Sequence, residues 1–290
     1  MAVRPTGERR ASAVGLVLGA ACSVQGGAAV AKSLFSTLGP PGVVFLRLLF
    51  GSLALWAIAR PQIRGRSRAD LKLVAALGVV LVSMNLSFYE ALDRAPLGVA
   101  VTVEFLGPLA VAVLGSRRPL DLLWVALAGT GVALLANGAG HAVHPAGIAL
   151  AAVAGFFWAL YILLSVRVGR RWPGASGLAP AMVLGGLLAL PWGLISAHHH
   201  LDDPQLMGAA VGVGLLSSAL PWSMELEALR RLPSHVFSVV LSLEPAVAAL
   251  AGFVFLHEHL RMRAWFAIGL VVLASAGAAR RRGQMLPIDA

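Results

Sequence analysis

Cysteine occurs once in this sequence, at Cys22, and charge is scarce: only 12% of residues are Asp, Glu, Lys or Arg. A single thiol excludes an intrachain disulfide and a multi-cysteine metal site. On its apolar segment Cys22 is expected to pack as a small hydrophobe. Soluble domains run near ~25% charged, and no stretch here is both long and polar enough to form one. There is no nucleophile motif, Gly-rich phosphate loop or nucleic-acid module. An enzyme therefore finds no support, and an ATP-driven pump would need a partner chain. His198-His199-His200 with Asp202 and Asp203 could bind a metal but reads as an outside loop, and His257-Glu258-His259 has alternating spacing that suits neither a helical zinc pair nor a span and reads as a loop. No cofactor is expected.

Hydrophobic residues make up 58% of the 290 positions. That length accommodates about ten membrane spans of roughly 20 residues with short loops. Candidate spans are 12–34, 41–59, 71–92, 97–114, 120–137, 146–166, 176–197, 206–229, 233–255 and 264–280. The breaks fall mostly at prolines, which punctuate loops and tolerate a first helical turn. Arg9-Arg10 followed by an apolar run resembles a signal peptide, but the run continues past Cys22, so it reads as an uncleaved first span.

The net charge of +10 is one of placement. With the N-terminus inside, eighteen basic residues fall in inside segments, from Arg4 and Arg9 to Arg282, and four outside: Lys32, Arg94, Arg261 and Arg263. Arg47 lies within a span. This bias predicts both termini in the cytoplasm and removes the nucleic-acid reading of the charge.

The chain is organised around Pro96–Leu114, apolar enough for lipid yet carrying Glu104. A charge near mid-bilayer costs at least ~2.5–3.5 kcal/mol and marks a candidate functional site. The segment beginning at Pro233, 137 positions on from Pro96, places Glu244 beside Pro245. Glu90-Ala91-Leu92 likewise aligns with Glu227-Ala228-Leu229, the first copy outside and the second inside. Five spans per repeat force this inversion, which predicts two inverted five-helix repeats, residues 1–139 and 140–290, with a site between them. Gly107-Pro108 loosens the helix beyond Glu104.

Other polar groups fall within the spans. Gln25 and Lys32 share one face of the first helix; Lys32 can instead snorkel to the surface. Arg47 can clamp a carboxylate of a solute, or pair structurally with Glu104 or Glu90. Asn85 and Tyr89 can bind a small polar solute or a neighbouring helix. Trp158, Tyr161 and Ser165 form a stripe suited to packing or to a site wall. Ser218, Trp222 and Glu225 form another, with Glu225 near enough to the inner end to be solvated instead. Desolvation disfavours an ionised carboxyl, so Glu104 and Glu244 are the expected proton-coupling groups.

The segments Ser23-Val24-Gln25-Gly26-Gly27, Ala31-Lys32-Ser33-Leu34-Phe35, Glu104-Phe105-Leu106-Gly107-Pro108, Ser116-Arg117-Arg118-Pro119 and Leu243-Glu244-Pro245-Ala246 resemble those of EamA-type drug/metabolite transporters, nearest the bacterial threonine/homoserine exporter branch. The likeness runs over nearly the whole chain. It implies an all-α membrane protein of ten helices in the bacterial inner membrane, exporting small amino acids by efflux driven by the proton gradient. Trp222 stands where the resemblance leads us to expect Tyr, and Leu106 where a polar residue is expected; if they line the cavity, the solute is larger or more apolar than threonine. The expected partners are an amino-acid-like solute and the bilayer, with a homodimer left open. The alternatives are export of a different metabolite or drug-like solute, and a membrane scaffold with no transport role.

Overall fold

The computed structural model describes residues 7–114, 121–138 and 144–282, and every regular element among them is helical. In chain order these are α1 (Gly7–Ser33), α2 (Phe35–Ala59), α3 (Arg68–Arg94), α4 (Leu97–Glu104), α5 (Leu106–Leu114), α6 (Asp121–Gly138) and α7 (Pro145–Gly169). They continue as α8 (Leu178–Ala197), α9 (Pro204–Gly214), α10 (Leu220–Arg231), α11 (Ser234–Leu241), α12 (Glu244–Leu256) and α13 (Met262–Arg282). Among the described residues, nine helical segments are long and apolar enough to cross a membrane, and Leu122–Leu135 is a shorter apolar helix. Ser116–Leu120, Arg4 and the expected repeat junction at 139/140 lie outside the described residues.

The exterior carries many large apolar side chains. Ile195 is 74% exposed and Phe266 64%, as suits a bundle whose solvent is hydrocarbon. Cys22 belongs to this outer surface, which corrects the expectation that it packs inside. Small side chains make the contacts between helices: Ala13, Ala20, Ala31, Ala154, Ala179 and Ala248 are fully buried, and small residues let backbones approach. Helix α2 packs on α8, α3 on α7, α4 on α12, α6 on α13 and α1 on α10.

Local chemistry sets the ends. Ser67 Oγ caps α3 by accepting from Asp70 N at 3.1 Å, and Asp203 caps α9 ahead of Pro204, each occupying an otherwise orphaned N–H. Helix α2 starts earlier than its sequence pattern suggests and is interrupted at Gly39 (φ 66°, ψ 158°). Only glycine enters that region freely, and Pro40-Pro41 restart the helix. The Leu38 carbonyl at the break accepts from Ser196 Oγ at 2.7 Å.

Three further interruptions bear on the site. Pro108 has no N–H to offer the Glu104 carbonyl four residues back, and α4 ends there, with Phe105 between α4 and α5. Pro245 sits in the first turn of α12, and Ser242-Leu243 separate α11 from α12. Between α9 and α10, Leu215–Ala219 widen into a π turn just before Pro221.

A cavity between the broken helices

The two breaks turn Glu104 and Glu244 toward one another's side of the bundle. Glu104 is the last residue of α4 and Glu244 the first of α12. Those half-helices pack together, and both carboxyls line a cavity of about 290 Å³, the lower end of the ~300–1,000 Å³ typical of small-molecule pockets.

Of the other residues singled out in the sequence, Gln25, Arg47, Asn85, Trp158, Tyr161, Ser218, Trp222 and Glu225 also line this cavity. Gln25 Nε2 donates to Glu244 Oε1 at 3.0 Å. Glu104 and Glu225 make no hydrogen bond or ion pair among the described residues. Asn85 Nδ2 donates to the Leu81 carbonyl at 2.8 Å, within its own helix, leaving its amide oxygen for the cavity. Trp158 stands edge-on to Phe105 at 5.2 Å, which braces the break below Glu104.

Arg47 is held by neutral partners. Its Nη1 donates to Tyr89 Oη at 2.9 Å, its Nη2 to the Ser217 carbonyl at 3.1 Å, and its Nε is buried without a partner. The structural pairing with Glu104 or Glu90 considered from sequence does not form; Glu90 pairs with Arg94. Gln25 Oε1 and Ser217 Oγ are likewise buried and unpartnered. The chamber thus holds one guanidinium with no carboxylate in ion-pair range among the described residues, three carboxyl groups and several unused polar atoms.

Two sequence candidates lie off the cavity. Tyr89 is fully buried behind Arg47 against Phe35 and Phe88. Lys32 Nζ bonds Glu258 Oε1 at 2.8 Å and the Ala95 carbonyl at 2.7 Å, while Glu258 Oε2 accepts from Leu97 N at 2.8 Å. This cluster ties the end of α1, the α3–α4 turn and the α12–α13 loop together at one end of the bundle. Glu258 stands in the loop between α12 and α13, where no local pattern marks it as a partner.

The cavity extends the other way. Its lining includes Leu55 near the end of α2, Leu178 at the start of α8 and Glu225 in α10. Those termini lie toward the end carrying Arg60, Arg66, Arg171, Arg230 and Arg231, where Arg66 stacks on Trp172 at 4.2 Å. Ser217 and the apolar Met84, Phe88 and Met182 complete the walls. Trp222 is a wall residue as well. Leu106 is not; it packs toward Leu109 and Ala274.

The EamA-like transporter family matches residues 11–136 and 145–280. The chain is 41% identical to the threonine/homoserine exporter RhtA of Escherichia coli (strain K12) over 266 residues, 90% of this chain and 89% of that protein. It is 39% identical to the Salmonella typhimurium (strain LT2) exporter of the same name over 281 residues, 94% of each. A probable terminal-alkyne amino-acid exporter of Streptantibioticus cattleyicolor is 28% identical over 76% of this chain and 77% of its own. A solved crystal structure, 19% identical, superposes with a TM-score of 0.63 over 94% of this chain and 99% of its own, a likeness of fold alone.

Proposed function

Because this chain belongs to the EamA-like transporter family, we propose that it exports small amino-acid-like solutes across a bacterial inner membrane in exchange for protons. The observation that carries this reading is the cavity's charge inventory: Arg47 with only neutral partners, facing Glu104, Glu225 and Glu244. A zwitterion supplies what each side lacks. Its carboxylate pairs with the Arg47 fork and its ammonium with an acid. Protonation of that acid from outside removes the attraction and releases the ammonium, so proton and solute take turns on one group. This is transport rather than covalent chemistry.

Ten spans in two inverted repeats, 1–139 and 140–290, with cytoplasmic termini, give the cycle its symmetry. The helix pairing supports this: α2/α8, α4/α12 and α6/α13 pair equivalent spans, while α3/α7 and α1/α10 exchange roles. The surplus of basic residues assigns the cavity's open direction to the cytoplasm. Rocking of one repeat against the other then exposes the same site outside.

The test is threonine-dependent proton movement in proteoliposomes. Wild type is expected to couple the two fluxes, and Glu104→Gln and Glu244→Gln each to lower the coupled flux by at least about tenfold, the scale of one lost charge-assisted contact. Wild-type rates in both variants would remove the mechanism.

A second reading concerns the solute. Trp158, Trp222, Met84 and Phe88 give the chamber a substantial apolar wall, which favours an amino acid with a larger side chain than threonine. Competition by leucine, phenylalanine and homoserine against threonine separates the two. A passive scaffold has no use for a polar chamber beside buried acids.

A further inference from the structure

The mounting of Arg47 resolves into two specific devices. The first is the π turn. In an unbroken α-helix the Ser217 carbonyl would accept from the residue at 221, but Pro221 has no N–H. The Leu220 N–H goes back to the Leu215 carbonyl instead. Both carbonyls left over turn outward: Leu216 takes Ser23 Oγ at 2.7 Å and Ser217 takes Arg47 Nη2 at 3.1 Å. π turns are frequent at functional sites. The second device is Tyr89, fully buried, whose hydroxyl accepts from Arg47 Nη1 and whose ring lies 5.4 Å from the guanidinium carbon.

We propose that Pro221 and Tyr89 are positioning residues: they aim the Arg47 guanidinium into the cavity with neutral acceptors, so that its charge is kept for the solute's carboxylate. A carboxylate in either place would orient the side chain as well but cancel the charge the solute needs. Tyr89 thereby moves from a solute contact, as its spacing with Asn85 suggests, to a support behind one. The inference rests on the reading that Arg47 takes the carboxylate.

The experiment compares threonine with its decarboxylated amine, 1-amino-2-propanol, as competing ligands for wild type, Arg47→Gln, Tyr89→Phe and Pro221→Ala, with melting temperature as a fold check. Tyr89→Phe and Pro221→Ala are expected to weaken threonine about tenfold while leaving the amine within about twofold, shrinking the preference for the carboxylate-bearing ligand. Arg47→Gln is expected to abolish that preference. If Arg47→Gln keeps the preference, the underlying reading fails. If Arg47→Gln loses it but Tyr89→Phe keeps it, the positioning role fails. An equal loss for both ligands marks the two residues as merely structural and overturns the proposal. Should Pro221→Ala not fold, Tyr89→Phe, which conserves shape, decides alone.

Discussion

Gln25 shows how much a single amide can arrange. Its Nε2 donates to Glu244 at 3.0 Å, and its Oε1 is buried with no partner. The donor fixes the carboxyl's orientation, and the acceptor is left idle beside the cavity. Gln25→Leu leaves Glu244 buried without its donor, a loss on the order of 1–3 kcal/mol. Threonine-coupled proton flux is expected to fall about tenfold, and a wild-type rate would show that the amide is dispensable. Gln25 was legible because a buried amide in a span is conspicuous. Lys32, seven positions on and on the same helical face, was legible as a polar residue but not by its partner. Its fate depends on Glu258, 226 residues away in sequence, a separation that no local pattern bridges.

At the scale of elements, the prolines announced the discontinuities but not where the acids would stand. Pro108 and Pro245 are equivalent in the two halves, yet Glu104 precedes its proline by four residues and Glu244 by one. The result is that one acid closes a half-helix and the other opens one. What holds the first break against α7 is a backbone contact: a Cβ on Gly155 would strike the Glu104 carbonyl oxygen, and one on Gly107 would strike the Gly155 backbone. A close approach of this kind is invisible in a pattern of apolar residues, where glycine in a span reads as ordinary packing. Gly155→Val must push α7 away from the break, an overpacking cost of about 1–3 kcal/mol. It is expected to lower both melting temperature and transport, whereas Gly129→Ala, with open space around it, is expected to change neither. Equal behaviour of the two variants would mean that the contact does not seat Glu104.

At the scale of the molecule, a transporter must open at the end now closed, and the structure identifies what opening has to break. Lys32 and Glu258 form a partly buried bridge at 2.8 Å, their side chains 21% and 14% exposed. The bridge links the end of α1, in the first half, to the α12–α13 loop in the second. The Ala95 carbonyl and Leu97 N–H join it from the turn before α4. At the other end the halves are joined by more exposed contacts, Arg171 Nη1 donating to Asp70 Oδ1 at 3.1 Å and Arg66 Nη1 to the Arg171 carbonyl at 2.9 Å. Separating the halves at the bridged end sacrifices the more buried of the two sets of charge-assisted contacts, and exposed ion pairs contribute little, so the bridge biases the resting state. Removing it with Lys32→Ala withdraws about 1.5–3 kcal/mol from the closed arrangement and raises the open population roughly tenfold or more. The readout is a cysteine at Ala28, a cavity residue on α1, in a Cys22→Ser background, labelled by an impermeant maleimide from outside. Labelling is expected to accelerate in Lys32→Ala and in Glu258→Ala, and to slow again when Lys32→Glu and Glu258→Lys are combined. Unchanged labelling in both alanine variants would mean that the bridged end is held shut by the packing of α4 on α12 alone, and that the charged pair contributes nothing to the cycle.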